Sequence, residues 1–148
     1  MVTIDQIKQL REETGISILE CKKALEAAGC DMGKAKEILK KWGKDVAAKK
    51  GGRSTQQGII DSYIHPNKRI GVLIELNCES DFVAKSDDFR NLAHELCLQF
   101  AAVASDSESR LGDPWIKDSS KTVKDLIEAA IAKMGENIVL GAVERLEI

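Results

Sequence analysis

Aromatic side chains are scarce in this chain, with three Phe, two Trp and one Tyr in 148 residues, so the setting of each one is informative. Histidine is scarcer still, with only His65 and His94. The four cysteines, Cys21, Cys30, Cys78 and Cys97, are scattered without any C-x-x-C spacing. Zinc sites need convergent Cys and His ligands, so these counts exclude the usual zinc signatures, and the cysteines read as reduced core thiols. No apolar run approaches the ~18 residues of a membrane span. The opening "MVTIDQIKQL" lacks the basic start and apolar centre of a signal peptide, so a cytoplasmic location and no membrane contact are expected.

Catalytic patterns are missing as well. There is no nucleophile elbow and no metal-binding His pair, and "GKDVAAKKGGR" has neither the spacing nor the preceding strand of a phosphate-binding loop. The chain is therefore expected to act by binding rather than as an enzyme, with no cofactor and no catalytic or metal residues.

What is present is the composition of a globular protein, 43% hydrophobic and 31% charged, with room for one ordinary domain or two small ones. The net charge of −2 is unevenly placed. Residues 1–53 hold 12 basic and 8 acidic side chains, and residues 54–148 hold 10 and 16. Such a split suggests two modules meeting different surfaces of a partner.

Three short helices fill the first fifty residues. Thr3 with Gln6 and Ser17 with Glu20 have capping-box spacing, and Asp31 can cap a third helix. Behind these caps lie apolar stripes: Ile4, Ile7 and Leu10; Cys21, Ala24, Leu25 and Ala28; Ala35, Ile38, Leu39 and Trp42. Stripes this short are buried only against one another. Residues 41–58 read by composition as a basic, then polar, solvated connector without the interleaved aromatics of a nucleic-acid surface. The boundaries are set at a three-helix module over 1–50, a linker over 51–57 and a core over 58–148.

From Gly58 the apolar period becomes two. "GIIDSYIH" and "RIGVLIELN" around "PNK" predict an antiparallel hairpin, with Ile70, Val72, Ile74 and Leu76 on one face. Two helices supply the cover, one with Phe89, Leu92, Ala93, Leu96 and Phe100, the other with Val123, Leu126, Ile127, Ala130, Ile131 and Met134. Gly135 stops the second, and "NIVLGAVERLEI" is a third strand. The expected fold class is α+β, a β-β-α-α-β core with helices on one face of a three-stranded antiparallel sheet. The stretch between the helices reads as a loop pinned by Trp115.

One aromatic is oddly placed. In "ELNCESDFVAK" the strand ends and Asp81 and Phe82 follow side by side. Two readings stand: Ser80 or Asp81 caps a turn whose Phe82 and Val83 tuck into the core, or Phe82 projects between two rigid elements as an interface anchor.

The segments "LREETGISILECKKALEAAGCDMGKA", "ELNCESDFVAK" with "DDFRNLAHEL", and "AKMGENI" resemble, in order, the signatures of the elongation factor Ts family. That resemblance implies a ubiquitin-associated-like helical module on an α+β core, and guanine-nucleotide exchange on elongation factor Tu without direct contact to nucleic acid. It places Ser80, Asp81, Phe82 and Val83 at the family's Thr-Asp-Phe-Val motif, which intrudes on the partner and helps dislodge its Mg²⁺. It also places Ile18 and Leu19 at a Met-Met pair that touches the partner, and Lys50 at a basic contact position. Longer relatives carry further C-terminal parts whose contacts do not transfer. A homodimer through the core, with the last strand as a free edge, is a further expectation. The alternative is an interaction adaptor built on the helical module.

Overall fold

A computed structural model describes residues 1–148. Helix α1 (Ile4–Thr14) opens with the reciprocal Thr3–Gln6 capping box and ends at Gly15, whose φ of 70° lets its N–H reach the Arg11 carbonyl. Ser17 caps α2 (Ile18–Ala27) from one side only, its hydroxyl accepting from the Glu20 amide. Asp31 caps α3 (Met32–Lys50). Leu10, Ile16, Cys21, Ala24, Leu25, Ala35 and Leu39 form a core of their own among these helices.

The basic connector expected at 41–58 is a helix as far as Lys50. Its inward face uses small residues: Gly43 lies against Ala132, and Ala47 belongs to the second core. Small side chains among lysines leave little apolar signal, which is why composition suggested a solvated segment. Thus α3 is shared between both cores. Its outward lysine Lys44 bonds Asp125 at 2.6 Å.

The second unit is built on β1 (Gln57–Ile64), β2 (Ile70–Cys78) and β5 (Ile138–Glu147), ordered β1-β2-β5 and antiparallel throughout. Val72, Ile74, Leu76 and Cys78 of the central strand point into the core, where α5 (Asp87–Ala102) contributes Phe89, Leu92, Ala93, Leu96, Cys97 and Phe100 and α6 (Val123–Met134) contributes Val123, Ile127, Ala130 and Ile131. No helix covers the other face, where Ile60, Ile64, Leu73 and Leu146 are exposed. All helices therefore lie on one side of the sheet.

Beyond the expected β-β-α-α-β order there is one extra turn of helix, α4 (Asp81–Ala84), and a hairpin of β3 (Pro114–Trp115) and β4 (Asp118–Thr122) within the predicted loop. The hairpin is held from an unexpected quarter. Gln99, only 1% exposed, donates from Nε2 to the Pro114 carbonyl at 3.0 Å and accepts from the Ile116 amide at 2.8 Å. Trp115 faces a cleft of about 480 Å³ between α3 and α6.

Candidate functional site: a doubly capped turn

Strand β2 ends at Cys78, and two residues later the chain enters the single turn α4. Ser80 is its N-cap, with extended backbone and a hydroxyl that accepts from the Val83 amide at 3.2 Å. Ser86 closes the far end, donating to the Val83 carbonyl at 2.7 Å and capping α5 by accepting from the Phe89 amide. A one-turn helix has no cooperative stability of its own. Here the serines and the two flanking elements fix it.

Successive helical residues are ~100° apart around the axis, so four of them divide into an outer and an inner pair. Val83 and Ala84 are inside, at 7% and 3% exposure, and both join the core. Asp81 and Phe82 are outside. The Phe82 ring is 86% exposed, and the Asp81 carboxylate meets only Lys85, at 2.8 Å. Of the two readings open from the sequence, packing holds for Val83 and projection for Phe82.

Three other segments brace the turn. From the bend after α6, Glu136 accepts from the Ser80 amide at 2.9 Å and from its hydroxyl at 2.5 Å. The neighbouring Asn137 amide donates to Glu79 at 2.6 Å, and the Asn137 side chain donates to the Arg53 carbonyl. Arg53 in turn pairs with Glu79 at 3.5 Å. Below lies Cys78, whose thiol donates to the Ser80 carbonyl at 3.2 Å. Burial first, and then the charge of Glu136, push the Cys78 thiol above its ordinary value, so it stays protonated.

Lys50, at the end of α3, donates to the Gly135 carbonyl at 2.6 Å. It thus sits one residue from Glu136 along the same bend. Ile18 and Leu19 are elsewhere, exposed by 55% and 60% at the start of α2. The structure therefore joins Ser80, Asp81, Phe82, Val83 and Lys50 through the 135–137 bend, and leaves Ile18 and Leu19 as a separate apolar spot on the helical module. Glu79, Glu136 and Asn137 were not singled out from the sequence. The bonds of Glu136 and Asn137 cross more than fifty positions, and Arg53 is far outside any local spacing from Glu79. In the sequence only the stop at Gly135 and the segment "AKMGENI" mark the bend.

Neither histidine approaches the turn: His65 bonds the Tyr63 hydroxyl through Nδ1 at 3.0 Å, and His94 meets the edge of the same ring. No three His, Cys, Asp or Glu side chains converge as a metal would require, and no helix is long and apolar enough to cross a membrane.

The turn thus presents a projecting acid and aromatic on a backbone capped at both ends. The family model described as "Elongation factor TS" matches residues 79–148, beginning at this turn. Curated relatives extend the match to nearly the whole chain. The chain is 42% identical to elongation factor Ts of Thermotoga petrophila over 191 aligned positions, covering 99% of this chain and 96% of the relative. It is 39% identical to that of Coprothermobacter proteolyticus, covering 94% of each, and 37% identical to that of Carboxydothermus hydrogenoformans, covering 100% and 89%. The chain belongs to the elongation factor Ts family. Because the alignments run over more positions than the chain has residues, these relatives carry residues that it lacks.

Proposed function

We propose that this chain is a guanine-nucleotide exchange factor for elongation factor Tu, acting in the cytoplasm during translation elongation without catalytic residues of its own. Family membership supports the role, and the 86% exposed ring of Phe82 on a turn fixed at both ends is the observation that carries it.

GDP is held in such a GTPase by phosphate contacts and a Mg²⁺ ion with an exacting octahedral shell. A rigid ring wedged between partner helices displaces the ion's ligands without touching the nucleotide. Asp81, beside it, disturbs the polar network around the ion. Linkage makes the effect reciprocal: whatever factor of GDP affinity is lost, the factor gains in affinity for the empty GTPase. A single coupling of ~1–3 kcal/mol gives only about 5- to 150-fold, so several contacts act together. Ile18 and Leu19 supply a second one from the helical module, which we take to be ubiquitin-associated-like. Lys50 spends one of the three donors of an ammonium group on Gly135 and keeps the others for the partner. The division into units over 1–50 and 58–148 with a linker over 51–57 belongs to the same proposal, the helical unit holding on while the core wedges. Two cores would pair through the uncovered sheet face and the free edge of β5.

Release of a fluorescent GDP analogue from elongation factor Tu tests the reading. Micromolar amounts of this protein are expected to accelerate release. Binding without acceleration would favour the adaptor alternative, for which the exposed Ile18 and Leu19 speak.

A further inference from the structure

An exposed ring can wedge only if the backbone beneath it does not yield. The turn carrying Phe82 is four residues long, and its two serine caps are local. Only one side chain from a distant part of the chain is bonded to the cap residue itself. Glu136 takes both donors of Ser80, the amide at 2.9 Å and the hydroxyl at 2.5 Å. Both bonds are charge-assisted, which makes them stronger and more directional than neutral ones. The same hydroxyl accepts from the Val83 amide, so the carboxylate also orients the cap that starts α4. Glu136 is itself placed by its neighbours, since Lys50 holds the Gly135 carbonyl and Asn137 is bonded to Glu79 and Arg53. The bend thus ties the exit of α3 to the projecting turn.

We propose that Glu136 is the positioning residue of the wedge: by holding both donors of Ser80 it fixes the angle at which Asp81 and Phe82 are presented. This rests on the exchange reading above. Without Glu136 the ring keeps its exposure and area, but the turn samples several orientations, and only the fraction in the competent one acts on the partner. The docked complex still forms through the remaining contacts, so the loss falls on the release step rather than on the concentration needed for docking.

Glu136→Ala and Glu136→Gln are compared with wild type and Phe82→Ala in the GDP-release assay, at a temperature well below all unfolding midpoints. Glu136→Ala is expected to lower the maximal release rate about 5- to 20-fold with the half-saturating concentration within about twofold. Glu136→Gln, whose single amide oxygen can accept from only one of the two Ser80 donors, is expected to recover part of the rate. A purely structural role would show instead as a lower midpoint with no change of maximal rate in the folded state. Glu136→Ala as fast as wild type, while Phe82→Ala is slow, overturns the inference and leaves the exchange reading standing. No acceleration by wild type overturns that reading. The positioning claim is then decided in the wild-type protein by amide hydrogen exchange, as it also is if Glu136→Ala does not fold. The Ser80 amide is expected to exchange at least about tenfold more slowly than those of Asp81 and Phe82, first-turn donors with no intrahelical acceptor. Equal rates would overturn it.

Discussion

Replacing Asp125 with Ala removes two attachments together. The carboxylate is the N3 half of the capping box that starts α6, accepting from the Thr122 amide at 3.0 Å. It also receives Lys44 of α3 at 2.6 Å, which joins the helical unit to the core. Loss of a cap costs about 1 kcal/mol. Lys44 is nearly half exposed, so the ion pair adds only about 0.5–1 kcal/mol after solvent screening. The sum, about 2 kcal/mol, lowers the unfolding midpoint by roughly 4–8 °C in a chain of this size, readable by calorimetry. The pH dependence has a definite sign. The Lys44 ammonium, and then the Thr122 amide, hold Asp125 down to about 2, so its stabilisation is full above the ordinary carboxylate range and disappears as pH falls towards that value. Lys44, raised chiefly by its bond to Asp125, contributes fully below the ordinary lysine range and loses its share only as pH rises beyond it. A Lys44→Ala/Asp125→Ala double-mutant cycle should therefore show coupling at pH 7 that fades below about pH 4. Strictly additive losses at pH 7 would refute the view that this pair joins the two units.

Other perturbations have equally specific outcomes. Gly58→Ala would drive a methyl group into the Leu76 carbonyl oxygen, a backbone atom of the central strand that cannot step aside. A loss of more than about 2 kcal/mol in chemical denaturation is expected, where an ordinary surface change costs within about 0.5. Gln99→Ala leaves the Ile116 amide and Pro114 carbonyl unpaired, and about 1–3 kcal/mol should be lost. The β3–β4 amides should also exchange faster by NMR. A thiol reagent added to the folded protein should label Cys30 first, the one cysteine not fully buried. Cys97 should resist longest, because burial, assisted by the charge of Asp61, pushes its thiol to about 12.

Much of this architecture was legible because its signals are local. Caps at Thr3, Ser17 and Asp31 stand beside the stripes they start, and alternation along Ile70, Val72, Ile74 and Leu76 assigns a face to every residue of β2. The second half of α3 was hidden because Gly43 and Ala47 contribute shape rather than hydrophobic area. The β3–β4 hairpin was hidden because it is held by one buried amide, Gln99, rather than by an apolar pattern. At the site, neighbouring residues gave the turn and its two possible orientations. The choice between them came from packing: Val83 and Ala84 occupy the core positions, and Phe82 is left outside. The bracing acids Glu79 and Glu136 act across the fold, where no sequence spacing records them.

The most direct measurement compares Phe82→Ala with wild type in GDP release from elongation factor Tu, with both unfolding curves recorded alongside. Burying such a ring in a partner is worth about 1.5–3 kcal/mol, so exchange efficiency should fall roughly 10- to 150-fold. The unfolding midpoint should stay put, because the ring touches almost nothing in the free protein. Undiminished exchange by a folded Phe82→Ala protein would contradict the wedge, as would a loss of exchange that merely tracks unfolding.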